Sequence, residues 1–425
     1  MRRTSFFALP VVVLMACTNQ PVHQAAWTLR EGPWHIELDL RTDTDDQAVR
    51  LPFVFDLHSD SGAWSMVIHN GAEAIRVDDV TASPDSFYAR PPLFDPYLAG
   101  RPLSDSVITG YWYNPLRGAE YRVPFIARAG VSPRFSGSAV PGPDPSGDWA
   151  CRFMPGSPDE YAALGIFERK DGIVTGTFAT ETGDYRFLEG VSTGDSLFLS
   201  AFDGSHAYLF AASYHGDSLV GQFRSGTHSN ERWVASRHAG FQLRNPDSLT
   251  FLKPGHSVLD LLLPDLDGHP VSPGHERFFG HVRIVQLMGS WCANCMDETA
   301  LLNDLYGRYH PKGLDVIAVG FEKHPDPTKA REALQRYKER LGLRYDVLYG
   351  GQAGQQTTAA QLPFLERLVS YPTLIIIDRA GNVRRINTGF YGPGTGKHHA
   401  LFKRELTAFL EGLLAESGPT TVATR

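Results

Sequence analysis

Apolar and polar residues alternate with a period of two through most of the first 240 positions. Ile36, Leu38 and Leu40 alternate with His35, Glu37 and Asp39. Trp64, Met66 and Ile68 alternate with Ser65 and His69, and Val123 and Phe125 with Arg122 and Pro124. Successive side chains of a strand point to opposite faces, so this pattern, broken by Gly, Asp, Asn and Pro, predicts half-buried antiparallel strands. No helical stripe interrupts it. Past residue 248 the pattern changes. Apolar runs at 283–288, 314–319, 345–348 and 374–377 predict strands. Between and after them, residues 293–309, 328–341 and 398–414 carry helical spacing. The expected fold is an antiparallel all-β region followed by an α/β domain that buries a mixed sheet between helices.

The β region repeats itself. Asp85-Ser86-Phe87-Tyr88, Phe94-Asp95, Asp105-Ser106-Val107 and Gly110-Tyr111-Trp112 form one series. Asp195-Ser196-Leu197-Phe198, Phe202-Asp203, Asp217-Ser218-Leu219 and Gly221-Gln222-Phe223 form the other. Each half opens on a tryptophan strand, at Trp34 and Trp149. The Asp-Ser pairs are read as turn residues, because an Asp side chain caps backbone amides two residues on. Two related β-meanders are therefore expected over residues 27–137 and 147–243, as barrels, sandwiches or one composite. A linker holding Pro141, Pro143 and Pro145 joins them. His206 and His228 are placed on one rim, and Cys151 is read as a small buried residue.

Composition narrows the function. The chain has 425 residues and a formal net charge of −7, with 20% charged residues, which argues against a basic nucleic-acid surface. Arg2 and Arg3 precede an apolar run at residues 6–16 that is too short to span a bilayer. That run ends Leu14-Met15-Ala16-Cys17 and resembles the bacterial lipobox. Residues 1–17 are thus expected to be a lipoprotein signal peptide with Cys17 lipidated. Residues 18–26 read as a tether, and the mature chain as lying in a compartment that permits disulfides. Residues 417–425 are expected to be a disordered tail.

The candidate chemistry lies at Trp291-Cys292-Ala293-Asn294-Cys295. Two cysteines spaced by two residues follow a buried strand and open a helix. Unpaired amides and the helix dipole favour a thiolate at the first, which is expected to be exposed enough to attack a substrate disulfide, and the second lies one turn inward, where it can resolve a mixed disulfide. Zinc would need a second ligand pair, which the sequence does not offer at usable spacing, so no metal is expected. Tyr371-Pro372-Thr373 precedes an apolar strand. A cis bond there would turn its backbone toward a substrate chain.

These motifs, with Glu298 three residues after Cys295 and Leu263-Pro264-Asp265-Leu266-Asp267-Gly268 upstream, resemble the TlpA/ResA-type thioredoxin-like proteins over residues 254–416. The resemblance implies a thioredoxin fold and a membrane-anchored, periplasm-facing thiol–disulfide oxidoreductase. Cys292 would be the attacking thiol, Cys295 the resolving thiol and Pro372 the cis-proline. Glu298 would tune the thiols, with Trp291 and Tyr371 beside the substrate. The dithiol is the redox centre and no other cofactor is expected. The implied partners are disulfides or thiols of envelope proteins and a membrane electron donor. Two departures stand out. Ala293-Asn294 replaces a dipeptide that often ends in proline, and Gln286 stands where thioredoxin has a buried aspartate. Proton transfer would then fall to Glu298 or water. Gly289 stands where the peroxiredoxin-like branch has a threonine. Two other functions fit less of the chain. One is a partner- or glycan-binding lipoprotein with a regulatory redox domain. The other is a copper-delivery protein using Cys292, Cys295 and His398 or His399.

Overall fold

In the computed structural model, residues 27–135 and 140–418 are described. The signal segment with Cys17, the tether and residues 419–425 lie outside them.

The alternating pattern closes into two barrels. Strands β1 (Gly32–Asp39), β2 (Arg50–Asp60), β3 (Ala63–Asn70), β4 (Glu73–Ala82), β5 (Phe87–Arg90), β6 (Tyr97–Ser104), β7 (Val107–Tyr113) and β8 (Arg122–Ala129) form an antiparallel meander. β8 pairs back onto β1, so the first barrel is closed and has no free edge. The second barrel comprises β9 (Gly147–Phe153), β10 (Tyr161–Lys170), β11 (Ile173–Thr180), the two-residue β12 (Gly183–Asp184), β13 (Leu188–Thr193), β14 (Ser196–Phe202), β15 (Ala207–His215), β16 (Ser218–Ser225) and β17 (Ser229–Arg237). Eight of these form its ring, with β17 pairing β9 and β11 pairing both β10 and β13; β12 hangs on β11 as an excursion. The duplication extends to side chains. Trp34 and Trp149 are both fully buried, and each indole N–H donates to a carbonyl four residues upstream, Arg30 and Pro145.

Both interiors are filled rather than hollow. The second packs Trp149, Phe153, Phe178, Phe210, Phe223 and Trp233 into one buried cluster. Gly100 and Gly110 bring β6 and β7 so close that a Cβ on either would meet the other's backbone. Phe202 of the second barrel stacks on Phe53 of the first at 4.3 Å. Asn70 bonds both backbone groups of Phe202, and Trp112 Nε1 donates to the carbonyl of Gly204. Cys151 is fully buried, and burial pushes its thiol up to about 12. It is therefore expected to resist iodoacetamide in the native protein and to react only on unfolding. Peptide mapping under both conditions checks this.

A short hairpin of β18 (Leu263–Pro264) and β19 (Pro270–Val271) leads into the C-terminal domain. There β20 (Val282–Met288), β21 (Leu314–Glu322), β22 (Asp346–Gln352), β23 (Thr373–Ile377) and β24 (Val383–Thr388) form one sheet in the order β22-β21-β20-β23-β24. β20, β21 and β22 run parallel, whereas β23 and β24 are antiparallel. Every residue of β20 and β21 is buried, as expected for strands covered on both faces. Helices α1 (Ala293–Tyr309), α2 (Pro327–Arg340), α3 (Gln355–Gln361) and α4 (Lys397–Ala415) complete the domain. Asp326 caps α2 through the Thr328 amide, with Pro327 in the first turn. The expected α/β sandwich is present, with the helix boundaries shifted by at most one residue and the ends of β21 and β22 running three and four residues further than expected. α3 carried no clear sequence signal. Among the described residues, no helix is long and apolar enough to cross a membrane.

Candidate redox site

Cys292 ends the turn after β20 and serves as N-cap of α1. Its backbone is extended (φ −100°, ψ 112°), and its sulfur accepts from the Cys295 amide at 3.2 Å. The helix thus points its unpaired amides at that sulfur. Cys292 and Cys295 are joined by a disulfide, with Cα atoms 5.2 Å apart. The Tyr371–Pro372 bond is cis, and the Tyr371 carbonyl oxygen lies 3.7 Å from Cys292 Sγ. Trp291 meets Tyr371 edge to face at 5.8 Å and anchors its indole N–H on the Phe321 carbonyl at 2.9 Å. The sequence-predicted residues Trp291, Cys292, Cys295, Glu298, Tyr371 and Pro372 therefore converge. Gly289 leaves no room for the peroxiredoxin threonine, since a Cβ there would lie 2.8 Å from the Phe321 carbonyl oxygen.

Glu298 is fully buried one turn beyond Cys295. Gln286 Nε2 donates to its Oε2 at 2.8 Å, while Oε1 is buried without a partner. Burial pushes the carboxyl up to about 8, partly offset by the Gln286 bond. Gln286 is itself oriented: Tyr337 donates to Thr299, and Thr299 donates to Gln286 Oε1, each at 2.9 Å. With its oxygen occupied, the amide presents its NH2 group to Glu298. Glutamine in place of the thioredoxin aspartate thus holds the carboxylate rather than acting as a base.

The expectation that Cys292 stands open at the surface needs correction. It is only 8% exposed and belongs to one buried cluster that includes Leu93 and Phe94 of the β5–β6 loop, while the second barrel packs on the motif beside it. Asn294 Nδ2 donates to the Asp184 carbonyl at 3.2 Å, and Gly183 is packed so tightly on Asn294 that a Cβ would collide. This gives the Ala-Asn dipeptide a local reason: its asparagine grips the neighbouring domain. Asp184 also accepts from the Gly392 amide.

Arg186 joins all three domains. It is 4% exposed, and its φ of +58° places it in the left-handed region, a conformation costing about 1 kcal/mol or more outside glycine. Its guanidinium bonds Asp297 at 2.6 Å and the Ala293 carbonyl at 3.1 Å, both in α1, and pairs with Glu73 of the first barrel and Asp203 of the second. Burial pushes Asp297 up to about 7, helped by Asp184 and Glu73 and opposed by Arg186. Glu322 closes the other side, accepting from the Ser290 amide and hydroxyl at 2.8 Å each. Burial pushes it up to about 7.

Sequence reasoning missed Asp184, Arg186, Glu322 and Lys323. Lys323 caps the Trp291 ring, its Nζ 3.8 Å from the centroid. No local motif marks these residues; Arg186 and Asp297 are 111 positions apart. The paired histidines begin α4, where His399 bonds the Tyr391 carbonyl at 2.9 Å. His206 pairs with Asp203, and His228 with the Tyr121 hydroxyl.

The sheet, the capped cysteine pair and the neighbouring cis-proline define the class: the C-terminal domain is a thioredoxin-like thiol–disulfide oxidoreductase domain. Residues 254–386 match the family model described as AhpC/TSA. The domain is related to the ResA-type oxidoreductases. Thiol-disulfide oxidoreductase ResA of Geobacillus kaustophilus is 28% identical over 135 residues, which are 32% of this chain and 69% of the relative. Its counterpart in Geobacillus thermodenitrificans is 26% identical over the same length and shares. Among solved structures, a thioredoxin-family thiol:disulfide interchange protein from Chlorobium tepidum is 18% identical, with a TM-score of 0.28, covering 38% of this chain and 100% of its own. A thiol-disulfide oxidoreductase from Bacteroides fragilis is 23% identical, with a TM-score of 0.26, covering 34% and 99%. The barrels lie outside the segment the family model matches.

Proposed function

We propose that this protein is an envelope-anchored disulfide reductase. The observation that carries the reading is the Cys292 sulfur capping α1 with Cys295 within bonding distance. In the reduced protein, Cys292 thiolate attacks a substrate disulfide. One substrate sulfur leaves as a thiolate and takes a proton from water. Glu298 removes the Cys295 proton, and the Cys295 thiolate attacks Cys292 sulfur. The second substrate thiolate then leaves. Two electrons pass to the substrate, and the pair ends as the disulfide seen here. A carboxyl poised near 8 suits proton exchange with a thiol. Trp291, Tyr371 and Pro372 form the substrate-facing rim. A membrane dithiol donor re-reduces the pair, and lipidated Cys17 holds the chain to a membrane on the extracytoplasmic side.

Cys295→Ser removes the resolving thiol. The variant is expected to accumulate mixed disulfides on Cys292 in envelope extracts, identified by mass spectrometry after non-reducing electrophoresis. Cys292→Ser should accumulate none. If the first variant traps nothing and the wild type fails to reduce a neutral small disulfide, the reading is wrong.

One observation favours a binding role for the barrels. Tyr88, Tyr97, Tyr113 and Tyr111 form a continuous row outside the first barrel, with ring centroids 5.0–6.0 Å apart. Such a row could hold a partner or glycan alongside the redox activity.

A further inference from the structure

We propose that the pocket between α3 and the segment leading to the cis-proline is a subsite for a large apolar side chain of the substrate polypeptide, close to its disulfide. This deepens the reductase reading and rests on it.

After α3 the chain runs through residues 362–371 without a helix or strand before β23 begins. It is tied at two points. Leu365 bridges to Leu252, and the Glu366 amide donates to the Phe251 carbonyl at 3.0 Å. At the other end the Tyr371 hydroxyl meets Thr358 Oγ1 of α3 at 2.9 Å. Beside these ties lies a cavity of about 450 Å³. It is lined by Thr358 and Ala359 of α3 and by Leu362, Leu368, Val369 and Tyr371 of the segment.

Tyr371 belongs to both the pocket and the redox site. Its carbonyl oxygen lies 3.7 Å from Cys292 Sγ, its ring meets Trp291 edge to face, and the same residue walls the pocket. The cavity therefore adjoins the attacking sulfur through one residue. An extended chain advances about 3.3 Å per residue and sends every second side chain to the same face. A substrate strand crossing Cys292 thus brings the second or third residue from its disulfide to the pocket.

The lining selects the occupant. Leu362, Leu365, Leu368 and Val369 make it largely apolar. Two large apolar side chains stand exposed there: Val369 in the lining at 37%, and Phe251, whose carbonyl holds Glu366, at 46%. A lone exposed apolar residue is ordinary, but two at an apolar cavity that adjoins a redox disulfide mark a binding surface. The charged lining residues Glu366 and Arg367 have opposite signs, so they do not favour an ionic ligand. The Ser370 hydroxyl, also in the lining, is buried without a hydrogen-bond partner among the described residues. A polypeptide supplies both missing partners: an apolar side chain for the cavity and a backbone amide or carbonyl for Ser370.

The test uses the full-length protein and two peptides with the same intramolecular disulfide. One carries tryptophan at the second and third positions outside each cysteine, the other serine. Pre-reduced protein is expected to show a kcat/KM about tenfold higher for the tryptophan peptide, the ~1.4 kcal/mol that partial burial of one large apolar side chain supplies. The preference should persist at ~0.5 M salt, where surface charges are screened. A disulfide-free tryptophan peptide should bind the oxidised protein by calorimetry, with a negative heat-capacity change. Ala359→Glu brings a charge to the pocket from an exposed position of α3. It should shift the preference to a lysine-bearing peptide, a gain that misfolding cannot mimic. Measurable but equal rates, or equal binding, for the tryptophan and serine peptides overturn the proposal. So does an Ala359→Glu variant that keeps the tryptophan preference, or binding of phosphatidylglycerol vesicles with none to the tryptophan peptide. Failure to reduce any disulfide, including bis(2-hydroxyethyl) disulfide, overturns the reductase reading instead, while peptide binding still decides the pocket assignment.

Discussion

Replacing Arg186 with methionine is expected to destabilise the assembly of the three domains by about 3–5 kcal/mol, the usual cost of removing one partner from a buried ion network. The guanidinium is 4% exposed and serves Glu73, Asp203 and Asp297, whose side chains are 11%, 5% and 14% exposed. Methionine fills similar volume but leaves Asp297 buried without its cation, while Asp203 keeps His206. Burial already raises the Asp297 carboxyl to about 7 against the Arg186 charge, so losing that charge penalises its ionised form further. The deficit should therefore narrow as the pH falls through about 7. Urea unfolding followed by tryptophan fluorescence measures the loss. Limited proteolysis should show the barrels separating from the redox domain before either is degraded. Arg186→Lys keeps a charge but loses the branched geometry, and should recover only part of the stability. A methionine variant as stable as the wild type at pH 7 and equally resistant to protease would remove this network as the reason the barrels stay on the site.

Glu298→Gln carries the second large effect. General-base assistance typically contributes about 10²–10⁴-fold. Loss of the carboxylate should slow resolution of the mixed disulfide by at least about 100-fold, with attack by Cys292 much less affected. Stopped-flow single turnovers separate the two steps. The wild-type resolution rate should rise with pH to an inflection near 8, and the variant should lose that inflection. Stability supplies an independent readout. The folded-state pKa of about 8 lies above the ordinary value of 4.5, so between these pH values the folded protein holds a proton that the unfolded chain releases. Wild-type stability therefore falls as pH rises through that window, by at most ~1.4 kcal/mol per pH unit from this group. The variant should show a flatter profile. An unchanged inflection and an unchanged slope would assign proton transfer elsewhere.

The cysteine pair, the tryptophan before it, the proline loop and the glutamate were legible because each belongs to a short motif or to a known register on one element. The meander strands were legible for the same reason. Period-two alternation is a local consequence of strand geometry, and the repeated Asp-Ser turns marked where one strand ends and the next begins. Gln286 was recognised as a departure, but its task was not. That task depends on Thr299 and Tyr337, which reach it from α1 and α2.

What the sequence determined by itself is the order of elements, the duplication of the β region and the identity of the two sulfurs. These follow from interactions within a few residues along the chain. Tertiary structure alone decided that each repeat closes into its own filled barrel, since closure depends on β8 meeting β1 and β17 meeting β9. It also decided that the second barrel presses Asp184 and Arg186 onto the first turn of α1. Contacts spanning more than a hundred residues leave no periodic trace, because any compatible side chain at the right point in space satisfies them. The grip of the second barrel on Asn294 and Asp297, beside the cysteine pair, arises from those contacts.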